Sequence, residues 1–188
     1  TVFNTVFVLG GLVLAVYLYL VMKNLGASRW VSAATTIVFV CSPEIVLFEN
    51  ILLYTYPVAV LLAVSAWALQ RYQDRRRAVH GLLFFFAAAS IVLMRSLFHL
   101  VWLIAAVLIV LAARRVPIRR ILAAASLPVL IVVFVYAKNM YLFGHFSTST
   151  WLGGSFAKMT TFMLPEEERL ALSEEGIVSE LALIRPIQ

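Results

Sequence analysis

Apolar residues fill long blocks of this chain, and polar residues fall between them in short runs. The first block runs from Val6 to Met22 and is followed by Lys23-Asn24-Leu25-Gly26-Ala27-Ser28-Arg29. Gly26 suits a helix C-cap and Ser28 the N-cap of the next helix. A second block runs from Val31 to Cys41, and Ser42-Pro43-Glu44 breaks or kinks it. A third follows Tyr54-Thr55-Tyr56-Pro57 and runs through Leu69. Further blocks occupy Gly81 to Ala113 and Ile121 to about Phe143, the last with Pro128 as a tolerated kink. A bilayer core about 30 Å thick takes about 20 helical residues. The pattern predicts an all-α, polytopic integral membrane domain over 1–143, with about six spans.

The block from Gly81 to Ala113 carries the most information. Arg75-Arg76-Arg77 precedes it and Arg114-Arg115 follows it. Cytoplasmic loops collect Lys and Arg, so both ends belong on one side and the block crosses an even number of times. Two full crossings need about 40 residues before any turn, and the block has 33. It therefore predicts a short, broken hairpin whose junction lies near Arg95 to His99, inside the membrane boundary. Irregular backbone and charge at that depth survive only when buried in protein or lining a wet cavity. Arg95 and His99 are four apart and would share a helix face. Snorkelling into the headgroup region is the competing explanation for both.

Past Phe143 the composition changes. Gly144-His145-Phe146-Ser147-Thr148-Ser149-Thr150-Trp151 is small, polar and aromatic, and Glu166-Glu167-Glu168 and Glu174-Glu175 follow it. This predicts a second region, 144–188, on the extracytoplasmic side, with an amphipathic helix or loop beginning near Pro165. The chain starts at Thr1 without a Met or a basic leader, and reads as an internal fragment of a longer protein.

Composition sharpens the reading. Apolar residues make up 63% of the chain and charged ones 13%, whereas soluble domains run nearer half and a quarter. The net charge is +6. Ten basic residues against one acid, Asp74, give +9 to the three loops around residues 23–29, 71–77 and 114–120, leaving −3 elsewhere. Topology signalling accounts for that asymmetry, so no nucleic-acid partner is expected. Cys41 is the only cysteine, which excludes a disulfide framework and a thiolate metal site.

No Walker loop or dinucleotide fingerprint is present, and the three histidines have no metal-ligand spacing. The candidate groups lie on the expected outer side: Glu44, Glu49, Arg95, His99, Lys138, Asn139, His145 and the Ser149-Thr150-Trp151 run. Arg offers a bidentate fork to a phosphate and Lys a point charge. Hydroxyls, amides and an aromatic face suit a carbohydrate. Glu44 and Glu49 are either solvated or face the same cavity as Arg95.

Several stretches together resemble the GT-C superfamily of polytopic glycosyltransferases, in the style of the protein mannosyltransferase and lipid A aminoarabinose transferase branch. They are Ser42-Pro43-Glu44, Phe48-Glu49-Asn50, Tyr54-Thr55-Tyr56-Pro57, Arg95-Ser96-Leu97-Phe98-His99, Lys138-Asn139, Phe143-Gly144 and Ser149-Thr150-Trp151-Leu152-Gly153. The resemblance implies a polyprenyl-phosphate sugar donor, extracytoplasmic transfer to a glycan, lipid or protein acceptor, and a plasma-membrane location, bacterial in style. It also implies a catalytic acid in an outer loop upstream of Thr1, and with it any divalent metal, so that no cofactor is assignable within the chain and the fragment alone is inactive. On this reading Arg95 and Lys138 bind donor phosphate, while His99, Asn139, His145, Ser149, Thr150 and Trp151 contact sugar or acceptor. Two other classes fit the same pattern: a transporter or flippase-like protein with a polar substrate cavity, and a non-catalytic membrane assembly subunit.

Overall fold

The computed structural model describes residues 2–50, 55–94, 98–148, 159–178 and 183. These residues are helical throughout their regular structure, with no strand among them. The chain divides into two compact units, Thr1–Thr148 and Ser149–Gln188. The first holds α1 (Val2–Asn24), α2 (Arg29–Val40), α3 (Pro43–Asn50), α4 (Thr55–Arg75), α5 (Ala78–Met94), α6 (Leu100–Ala112) and α7 (Ile118–Phe143). The second holds a 3-10 turn at Thr161–Met163 and α8 (Glu166–Glu174).

The helix ends follow local chemistry. α1 stops because Gly26 takes a φ of +91°. Its N–H donates to the Lys23 carbonyl at 3.1 Å and that of Ala27 to Met22 at 3.2 Å, the paired bonds of a Schellman ending. Ser28 then caps α2, its Oγ accepting from Val31 N–H at 3.3 Å. α2 ends at Val40, and Pro43 starts α3 after a two-residue break, as the Ser42-Pro43 pair leads one to expect. In the second unit, Glu166, Glu167 and Glu168 fill the first turn of α8, where negative charge complements the helix dipole. Gly176, at φ +70°, ends it with a second Schellman pair, Gly176 N–H to Ser173 at 3.0 Å and Ile177 N–H to Leu172 at 2.9 Å.

α5 is the hub of the first unit. It packs most extensively on α4, then on α7, and also on α6, while α1 covers the other side of α4 and carries α2 and α3. α5 is apolar on all sides, and the face that carries Phe84, Phe85, Ala88, Ile91 and Val92 is buried. Ala87, Ala88 and Ala89 are buried along it, and Ala68, Ala124 and Ala125 on its neighbours. Such small side chains let helix backbones approach closely. Gly81 shows how closely: a Cβ there would lie 2.7 Å from Tyr72 Cζ and 3.1 Å from Ala124 Cβ. Two core clusters flank α5. One, around Tyr72, Phe85 and Ile121, lies toward its N-terminus; the other, around Val92, Leu103 and Tyr136, lies toward its C-terminus.

Two helical stretches, Thr5–Asn24 and Ile118–Phe143, are long and apolar enough to cross a membrane. Three others are apolar but shorter: α2 with 12 residues, α5 with 17 and α6 with 13. At 1.5 Å per residue, α5 and α6 reach only about 25 and 20 Å. α5 ends at Met94 and α6 begins at Leu100, and of the residues between them the structure describes Phe98 and His99. The second expected span is a 12-residue and an 8-residue helix in succession, because Pro43 interrupts it. Pro128 stays inside a continuous α7.

Candidate functional site

The two ends of the first unit differ sharply in chemistry. At one end all three basic loops meet. Asn24 Nδ2, at the end of α1, donates to Gln70 Oε1 near the end of α4 at 3.0 Å. Arg120 Nη1, in the first turn of α7, donates to the Arg76 carbonyl between α4 and α5 at 3.2 Å. Tyr72 and Gly81 pack together below that loop. The His80 imidazole is held below its usual pKa, first by burial and then by Arg75, Arg77 and Arg71. Burial likewise raises the Tyr72 hydroxyl above its usual value, against the opposing pull of Arg120.

At the opposite end of α5 and α7 lies the cluster that contains the sequence candidates. Tyr136 of α7 is fully buried. Its hydroxyl accepts a hydrogen bond from Leu100 N–H at 3.1 Å. Leu100 opens α6, and its N–H would otherwise be one of the orphan donors of a helix start. His99 sits at the N-cap but makes no side-chain capping bond, so a tyrosine from another helix does the capping. The His99 ring meets Tyr136 edge-on, with centroids 5.1 Å apart. Phe146 meets the same tyrosine at 5.1 Å, and Phe98 meets Trp102 at 5.2 Å.

Asn139 lies one turn beyond Tyr136 on the same face of α7. Its Nδ2 donates to the Ser147 carbonyl at 2.8 Å and to the Thr148 carbonyl at 3.4 Å. The turn after Gly144, which takes a φ of +73°, is thus fastened back onto α7. Its Ser147 and Thr148 are half-buried, while His145 is exposed. The structure accordingly brings His99, Asn139 and the 145–148 turn together around Tyr136.

The other candidates are placed differently. Lys138 is exposed on the far side of α7 from Tyr136, along the row that includes Phe134, 72% exposed, and Tyr141, 89% exposed. Two residues along a helix turn a side chain by about 200°, which sets Lys138 opposite Tyr136, and one residue turns it by about 100°, so Lys138 and Asn139 present different faces despite being neighbours. Glu44 is exposed in the first turn of α3, a helix that packs on α1 and α4. Arg95, Ser149, Thr150 and Trp151 lie outside the described residues, as does the Glu49 side chain. Among the described residues, no group of three or more His, Cys, Asp or Glu could hold a metal ion.

The residue that sequence reasoning missed is Tyr136. A signal existed: it lies three residues before Asn139, so the two share a helical face, and a tyrosine in an apolar helix needs a partner for its hydroxyl. An open apolar groove of about 280 Å³ lies elsewhere, between α1 and α4, with Phe7, Gly10, Tyr56 and Val60 in its walls. No family model, curated protein or solved structure matches the chain.

Proposed function

We propose that this chain is the membrane-embedded part of a glycosyltransferase that moves a sugar from a polyprenyl-phosphate donor to an extracytoplasmic acceptor in a bacterial plasma membrane. The carrying observation is the gathering of His99, Tyr136, Asn139 and the 145–148 turn next to the α5–α6 break, at the end remote from the basic loops. The membrane setting is supported by the length and apolar character of α1 and α7. It is also supported by large side chains left exposed, among them Trp30, Val38 and Phe134, an apolar surface that a soluble monomer rarely shows.

On this reading the chain crosses six times, through α1, α2 with α3, α4, α5, α6 and α7, and the basic end faces the cytoplasm. The acceptor hydroxyl attacks the anomeric carbon, the bond to the donor phosphate breaks with inversion, and a carboxylate takes the acceptor's proton. Arg95, three residues before Phe98, is assigned to the leaving phosphate, where a fixed cation in a water-poor site stabilises the growing charge. Asn139, His99 and the hydroxyls of the turn are assigned to sugar or acceptor, and exposed Lys138 to the outer edge of the phosphate group. The α5–α6 break also favours a second reading, a transporter, since discontinuous helices line many transport sites.

The test is the thermal midpoint of the detergent-purified chain with polyprenyl monophosphate or with the unphosphorylated alcohol. The phosphate should raise the midpoint and the alcohol should not. Arg95→Lys should remove most of the rise while the unliganded midpoint stays in place, because Lys lacks the bidentate fork. Equal responses to phosphate and alcohol would overturn the assignment. Donor movement across proteoliposomes with no glycosidic product would favour the transporter.

A further inference from the structure

We propose that the basic end of the first unit is a binding surface for anionic phospholipid headgroups, centred on Arg71, Arg75, Arg77 and Arg120. It rests on the membrane placement proposed above and is independent of the transferase activity. The first argument is charge. Arg71, Arg75 and Arg77 all act on His80, and Arg120 is tied to the carbonyl of Arg76. Against ten cations, the three loops at this end hold one acid, Asp74.

The second argument is conformational. Arg76 and Arg114 take left-handed backbone, with φ of 53° and 50°. Glycine adopts that region freely, whereas other residues carry a cost of about 1 kcal/mol or more. The chain nonetheless places cations at both positions, each at the end of a helix that delivers it to this surface.

The third argument is the shape of the partner. Trp67 Nε1 and His80 Nδ1 are buried and without a hydrogen-bond partner among the described residues. The two rings are 5.5 Å apart, and the Arg71 guanidinium lies 5.9 Å from the Trp67 ring. Directly beside the arginines, Val79, Leu83 and Phe86 form an exposed stripe on α5, and Ile118 and Leu122 one on α7. A partner that is anionic at its head and apolar along its body fits such a surface. A nucleic acid or a free anion would leave the stripes uncovered.

The test uses the whole chain in nanodiscs containing equal amounts of phosphatidylcholine and phosphatidylglycerol, with retained lipid read by native mass spectrometry after release. Phosphatidylglycerol should be retained on the order of a hundredfold over phosphatidylcholine, as three cations at about 1 kcal/mol each imply. Arg77→Gln alone should reduce that preference by about fivefold, the effect of about 1 kcal/mol per cation at a charged surface, and adding Arg71→Gln and Arg120→Gln should abolish it. Each variant is checked for unchanged helical content, and the single exposed-loop substitution decides the matter if the triple variant loses helix. Insertion with equal retention of both lipids, or an unaltered preference in Arg77→Gln, would overturn the lipid surface alone. Failure to insert into these mixed discs would overturn the membrane placement and the lipid surface together.

Discussion

Tyr136 joins the α5–α6 break to α7 through one hydroxyl. That hydroxyl satisfies the Leu100 N–H in a fully buried setting, and deleting it leaves the donor without a partner. Tyr136→Phe keeps the ring and its contacts with His99 and Phe146 while removing the acceptor. We expect a loss of about 1–3 kcal/mol, the cost of orphaning a buried backbone donor, measured by denaturant unfolding in detergent. A variant as stable as wild type would show that water replaces the hydroxyl at the start of α6. Asn139 and Lys138 make a related point at the same scale. They are adjacent in sequence, yet one fastens the 145–148 turn and the other is exposed on the far face.

Among the elements, α5 stands out because its neighbours approach so near. Gly81 allows the Tyr72 ring to rest against the α5 backbone, with Ala124 of α7 close on the same point. A methyl group there meets ring atoms at 2.7 and 2.8 Å, well inside van der Waals contact. The ring is fully buried and has little room to retreat. Gly81→Ala should therefore lower stability by about 1–3 kcal/mol, the usual cost of overpacking, although alanine is the better helix former. Unfolding of Gly81→Ala at or above the wild-type midpoint would mean that α4 and α5 are looser than the structure has them. The breaks between elements are equally physical. Pro43 lacks a backbone donor and separates α2 from α3.

Across the whole molecule, the arrangement of the first unit makes a topological claim that labelling can check. The three basic loops share one end, and the cluster around Tyr136 occupies the other. In a background where exposed Cys41 is replaced by Ser, cysteines introduced at Gln73 and Pro117 should be shielded from an impermeant thiol reagent in intact cells. One at Ser147 should react. Labelling at Gln73 before permeabilisation would reverse or abolish the proposed orientation.

Much of this was legible before any coordinates. Hydrophobic periodicity and block length determine helical class, because apolar blocks of this length bury their backbone polar groups only by forming helices. Gly26 and Ser28 mark the α1–α2 connection because caps are local chemistry, settled within four residues. The 33 residues of 81–113 leave room only for short helices if the block is divided, since rise per residue is constant, and α5 and α6 have 17 and 13 residues. The rest depends on contacts between distant positions. That Tyr136 caps a helix 36 residues away, that α5 and not the long α7 is the hub, and that Lys138 is exposed on the face opposite Tyr136 follow from helix rotation and packing. A single sequence specifies those angles only through the sum of many weak side-chain contacts, and the folded chain alone resolves that sum.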